Sequence, residues 1–176
     1  MKRQSIIVSI FLHALLLIGV YVLQGVILPF MRINGIVPLL LPVACTGVAL
    51  YEGRITGGIS GLFAGILCDI SFNQPVGVFT VFLTMTGLFV GTLADAYILR
   101  GLVTYYISIT AVLILSAFVQ IFPLLVSTIY VVHAQEVISI TIQQTIYSLV
   151  FALPIWFFVR GLGNRADRVS SSGKMY

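Results

Sequence analysis

Few side chains in this sequence could do chemistry, and their spacing is the first test. Ser60 lies in Gly58-Ile59-Ser60-Gly61. That is the Gly-x-Ser-Gly pattern of an intramembrane serine nucleophile, which needs a histidine within hydrogen-bond reach as its base. The candidates are His13 and His133. Two carboxylates, Asp69 and Asp95, sit at the ends of apolar runs. Cys45 and Cys68 have no metal-type spacing and read as buried small hydrophobes rather than a disulfide or zinc site. There is no Walker loop, dinucleotide fingerprint or His-Glu-x-x-His. No metal or cofactor is expected, and weight shifts toward binding, transport or scaffolding.

The elements that must position these residues follow from composition. The chain has 176 residues, 60% hydrophobic and 8% charged, whereas soluble domains run near half apolar and a quarter charged. With the glycines, the apolar residues suffice for about six crossings at roughly 20 residues each. No polar stretch is long enough to enclose a second core. Barrel strands alternate apolar and polar residues, but here the apolar runs are unbroken, as in Val112-Leu113-Ile114-Leu115. An all-α, polytopic membrane helical bundle is expected. Met1-Lys2-Arg3 and the apolar run after it imitate a signal peptide. The run continues to Leu28 without a small-x-small cleavage site, so a retained first helix is the better reading.

Six transmembrane helices are expected, at 5–28, 36–50, 55–70, 76–99, 102–132 and 137–159, forming one domain over 1–160 with a basic cytoplasmic tail over 161–176. With both termini cytoplasmic, the inner side receives Lys2, Arg3, Arg54, Arg100, Arg160, Arg165, Arg168 and Lys174, and only Arg32 falls outside. That is a strong positive-inside bias. The net charge of +4 then reports orientation and anionic lipids at the cytoplasmic face, not nucleic acid. The second and third spans cover only about 24 Å each, against a core of about 30 Å. Two true crossings are expected, a re-entrant hairpin being the other geometry. Pro123 marks a kink or end in the long fifth span. The tail is expected to be partly disordered.

Small residues dominate the third span. Gly57, Gly61 and Gly65 recur every fourth position, and Gly87 and Gly91 repeat the device in the fourth span. Helices associating in lipid rely on small residues for close backbone approach. The stripe therefore serves either packing of helices three and four or docking of another membrane protein. Asp69 opposes the dipole of its own helix C-terminus. It faces water, accepts hydrogen bonds from residues 71–77, or serves a ligand. Asp95 is expected to be hydrated or paired at the interface, one turn before Arg100. His13, Gln24, Gln120, Gln143 and Gln144 are expected to hydrogen-bond across helices inside the bundle. By this topology His133 lies outside and cannot reach Ser60, and a glycine-flanked serine is common in glycine-rich helices. Protease chemistry is not expected.

The stretch from Gly61 to Gly77 resembles the rod shape-determining protein MreD family. The resemblance rests on Gly61-x-x-x-Gly65-x-x-x-Asp69, then Pro75 and Gly77 at the entry to the next helix. The length, six-span layout, short second and third helices and basic tail are similar too. The resemblance implies a non-enzymatic subunit of the bacterial elongation complex in the cytoplasmic (inner) membrane. The implied partners are MreC directly, and MreB, RodA and a class B penicillin-binding protein indirectly. Gly61, Gly65, Asp69, Pro75 and Gly77 carry the motif here. It also implies a fold similar to the substrate-binding subunits of energy-coupling-factor vitamin transporters. Such an uptake subunit is the rival function, and it would need polar groups converging in the outer half. Asp69, Asn73, Gln120 and residues 133–136 are the groups available.

Overall fold

A computed structural model of the chain describes residues 2–31, 36–72, 77–97, 101–126 and 134–172, with side chains over 11–30, 36–71, 77–96, 101–120 and 139–161. Six helices carry these segments: α1 Lys2–Val22, α2 Leu40–Glu52, α3 Arg54–Phe72, α4 Val78–Tyr97, α5 Leu102–Val126 and α6 Ala134–Ser172. The all-α bundle expected from composition is what is found. Four helical stretches are long and apolar enough to cross a membrane, Phe11–Phe30, Val78–Ala96, Leu102–Gln120 and Ser139–Gly161. The expected count of six thus stands at four by length and composition. α2 is too short, and the glycines, serines and Asp69 of α3 dilute its hydropathy.

α2 is the centre of the molecule. Every residue from Leu40 to Leu50 is buried, and α2 packs against each of the other five helices. A helix that is apolar on all sides belongs inside a bundle. Its 13 residues rise about 20 Å, well short of the hydrocarbon thickness. Because its neighbours are protein, that shortness is not matched against lipid. Around it the outward side chains are bare hydrocarbon: Phe11 is 69% exposed, Val103 73% and Phe158 72%. In lipid such a surface costs nothing, since the tails are as apolar as leucine.

Three local features refine the expected spans. α1 runs on through a π-helical turn at Leu23–Ile27 and a 3-10 turn at Leu28–Met31. α5 continues past Pro123 to Val126. α6 does not stop at Val159: the polar stretch expected to be partly disordered is helical to Ser172. Near the C-terminal end of its apolar portion, the Arg160 guanidinium carbon lies 4.9 Å from the Trp156 ring centroid, a cation–π contact.

Candidate functional site

The glycine stripe of α3 is filled by α4. A Cβ on Gly57 would lie 2.7 Å from the Gly87 carbonyl oxygen and 2.8 Å from the Ala49 methyl. On Gly61 it would meet the Leu83 carbonyl, and on Gly65 the Thr80 backbone. From the other helix, a Cβ on Gly87 would meet the Gly57 carbonyl, and one on Gly91 would lie 2.6 Å from the Arg54 Cα. No side chain fits at these five glycines, so two antiparallel backbones touch directly there. Van der Waals contact at that range replaces the missing hydrophobic drive. Of the two uses weighed for the stripe, packing within the chain is the one seen, and a partner helix cannot lie on the same face.

Each end of the α3–α4 hairpin is fixed by a carboxylate. Asp69 is buried, 5% exposed, in the last turns of α3. Its Oδ2 accepts from the Gly77 N–H at 2.9 Å, the Thr80 N–H at 3.2 Å and the Thr80 hydroxyl at 2.6 Å, while Oδ1 accepts from the Phe79 N–H at 2.9 Å. The carboxylate therefore caps α4, whose first N–H groups have no partner within their own helix. Opposing the α3 dipole costs about 0.3–1 kcal/mol. Four charge-assisted bonds at about 1.5–3 kcal/mol each outweigh that, and the α4 N-terminus adds a favourable dipole. Of the uses weighed for Asp69, the helix-fixing one is seen, with Gly77 the donor from the expected range and Phe79 and Thr80 beyond it. Gly77 has φ 107, a conformation open to glycine, and this turns its N–H toward Asp69. Pro75 and Asn73 lie outside the described residues.

The other end of the hairpin repeats the arrangement in reverse. Asp95, in the last turn of α4, accepts from the Arg54 N–H at 3.0 Å through Oδ2 and so caps α3. Its sequence-expected neighbour Arg100 lies outside the described residues. The single residue joining α2 to α3 is Gly53, at φ 85. A Cβ there would lie 3.1 Å from Asp95 Oδ2, so a bare residue is needed for space as well as backbone. The sequence signal for this cap, an Asp late in one helix and a Gly-Arg break before another, becomes legible only when α3 and α4 are known to pair.

The embedded amides hold the start of α2. Gln24, rotated inward within the π-helical turn, accepts through Oε1 from the Leu40 N–H at 2.9 Å and the Leu41 N–H at 3.2 Å. The Leu39 N–H donates to Ser148 Oγ at 2.9 Å. Gln144 donates to the Val37 carbonyl at 3.1 Å. Pro42, next in line, has no N–H to satisfy. Gln24 and Gln144 thus bond across helices as expected. Gln120 and Gln143 instead bond within their own helices, to the Ser116 carbonyl at 3.4 Å and Ser139 Oγ at 3.2 Å. His13 is buried, with Nε2 3.8 Å from Glu52 Oε1 at the end of α2.

His13 and Ser60 do share a small void, lined also by Thr56 and holding about 10 Å³. Ser60 Oγ donates to the Thr56 carbonyl at 2.7 Å, with the Gly57 carbonyl at 3.1 Å. The hydroxyl is thus turned to its own helix. The void admits about one water and no peptide. His133 lies outside the described residues. Cys45 and Cys68 are both buried free thiols. Among the described residues no group of three His, Cys, Asp or Glu side chains could hold a metal. For the rival uptake reading, Asp69 is committed to α4 and Gln120 to α5.

The comparison with protein families decides the assignment. The model of the family described as rod shape-determining protein MreD matches residues 4–166. The chain belongs to the MreD family. It is therefore a rod shape-determining membrane protein of the MreBCD system, from a structural family. No curated protein and no solved structure is similar enough to match. In this MreD-family chain the motif residues Gly61, Gly65, Asp69 and Gly77 fall together on the α3–α4 seam and the Asp69 cap at its end.

Proposed function

We propose that this chain is a non-enzymatic scaffold of the rod complex. It holds MreC in the cytoplasmic membrane and, through MreC, brings MreB, RodA and a class B penicillin-binding protein to one place. Both termini face the cytoplasm, where the basic residues meet anionic lipids. The observation that carries this reading is the use made of the buried and half-buried polar groups. Asp69, Gln24, Gln144 and Ser148 all engage the starts of other helices. Such an interior sets the positions of helices, as a scaffold requires.

The test is replacement of the native protein in rod-shaped cells depleted of their own MreD. The wild-type chain should restore rods and co-purify MreC from detergent extracts. Asp69→Ala should lose both while the chain still inserts. A chain that restores rods without ever binding MreC would overturn the scaffold reading. So would a bound vitamin-like molecule recovered from the purified chain, which favours uptake.

A further inference from the structure

Arg160 stands free at one corner of the bundle. Its guanidinium is exposed and lies over the buried Trp156 ring, and among the described residues it meets no carboxylate. The corner has other spare donors: Trp156 Nε1 and the Tyr51 hydroxyl oxygen are buried with no hydrogen-bond partner. Tyr51 belongs here because α2 and α6 run in parallel. The Leu39 N–H meets Ser148, and further along a Cβ on Gly47 would lie 3.4 Å from Val159 Cγ2. Tyr51 is one turn past Gly47. The carboxylates at this end are engaged, Glu52 with His13 at 3.8 Å and Asp95 with the Arg54 N–H. Spare donors beside an unpaired cation call for an anion.

Two features say which anion. Gly161 closes the apolar stretch Ser139–Gly161, so Arg160 sits where hydrocarbon gives way to headgroups. Along the same helix, Ile146, Val150, Leu153 and Phe157 are all exposed. Their spacing keeps them on one face of α6, and the next step along that face is Arg160. From Ile146 to Phe157 the face is about 17 Å long, close to one leaflet of a core of about 30 Å. A phosphate at Arg160 with an acyl chain beneath it fits both. The guanidinium, held on the indole by cation–π attraction, offers a planar fork matched to phosphate oxygens. A headgroup with its own ammonium would find no free carboxylate here, whereas one of net negative charge neutralises Arg160.

We propose that Arg160, stacked on Trp156, binds the phosphate of an anionic phospholipid of the phosphatidylglycerol type, whose acyl chain lies along Ile146, Val150, Leu153 and Phe157. This rests on the reading in which basic residues meet anionic lipids, and it names one place where a lipid is held. Trp156 is the only tryptophan in the sequence, so its fluorescence reports this corner directly.

The test titrates the full-length chain, in nonionic detergent micelles, with phospholipids brominated on the acyl chain, which quench a tryptophan beside them. Brominated phosphatidylglycerol should quench Trp156 saturably. The phosphatidylethanolamine analogue should need about ten times more, a difference of about 1.4 kcal/mol. Arg160→Gln should weaken phosphatidylglycerol to the phosphatidylethanolamine level. Arg160 is exposed, so this variant should keep the wild-type melting temperature without lipid. Arg54→Gln removes another exposed cation at the same end and should titrate as wild type. If Arg160→Gln titrates as wild type, or Arg54→Gln loses as much, the site is overturned and a general attraction to anionic lipids stands. Inorganic phosphate that displaces the lipid at equal concentration makes the ligand a free phosphate and also overturns it. Equal quenching of the wild type by both lipids removes the anionic-lipid reading itself.

Discussion

Asp69 joins two helices through one carboxylate, and its removal should be felt at both. Asp69→Ala leaves the Gly77, Phe79 and Thr80 N–H groups without their acceptor. The expected cost is about 3 kcal/mol or more, read as a lower melting temperature of the purified chain and as loss of rod shape in complemented cells. Glycines divide by what surrounds them. Gly19→Ala should be neutral or gain up to about 1 kcal/mol of helix propensity, because its Cβ meets nothing. Gly61→Ala drives a Cβ into the Leu83 carbonyl and should cost about 1–3 kcal/mol. Thermal unfolding of the two variants side by side checks the contrast. Spacing alone marked Gly57, Gly61 and Gly65 as a contact surface, because a period of four residues keeps them on one face. It could not say which helix lies there, since a glycine stripe looks the same from a sister helix and from a stranger.

At the scale of the element, the sequence was informative about apolar length and weak about helix ends. α4, the apolar part of α5 and the start of α6 fall close to the expected spans, because unbroken apolar runs admit few alternatives. α2 was legible as short but not as central: burial on every side depends on what the other five helices do. The π-helical turn at Leu23–Ile27 left no signal of its own, although Gln24 within an apolar run was a fair pointer to a tertiary bond. Gln24→Leu should leave the Leu40 and Leu41 N–H groups without an acceptor in a dry interior, at about 1–3 kcal/mol for each group. Amide hydrogen exchange at the start of α2 should then rise, with the far end of α2 little changed. Polarity after Val159 points to a tail disordered in part, and α6 runs on through that stretch to Ser172. A helix already nucleated in the membrane extends at low cost, one hydrogen bond per added residue.

For the whole molecule, the α3–α4 hairpin is a unit closed at both ends, Asp69 capping α4 and Asp95 capping α3. Its direct backbone contact belongs to folding rather than to a partner's seat. That division gives a direct test: the melting temperature of the purified chain alone in detergent, wild type against Gly61→Leu. If the seam is internal, the variant melts lower by about 2–12 °C with MreC absent, following an overpacking cost of about 1–3 kcal/mol at 2–4 °C per kcal/mol. If the variant melts with the wild type and loses only its hold on MreC, the stripe is a partner's seat, and the internal seam described here is wrong.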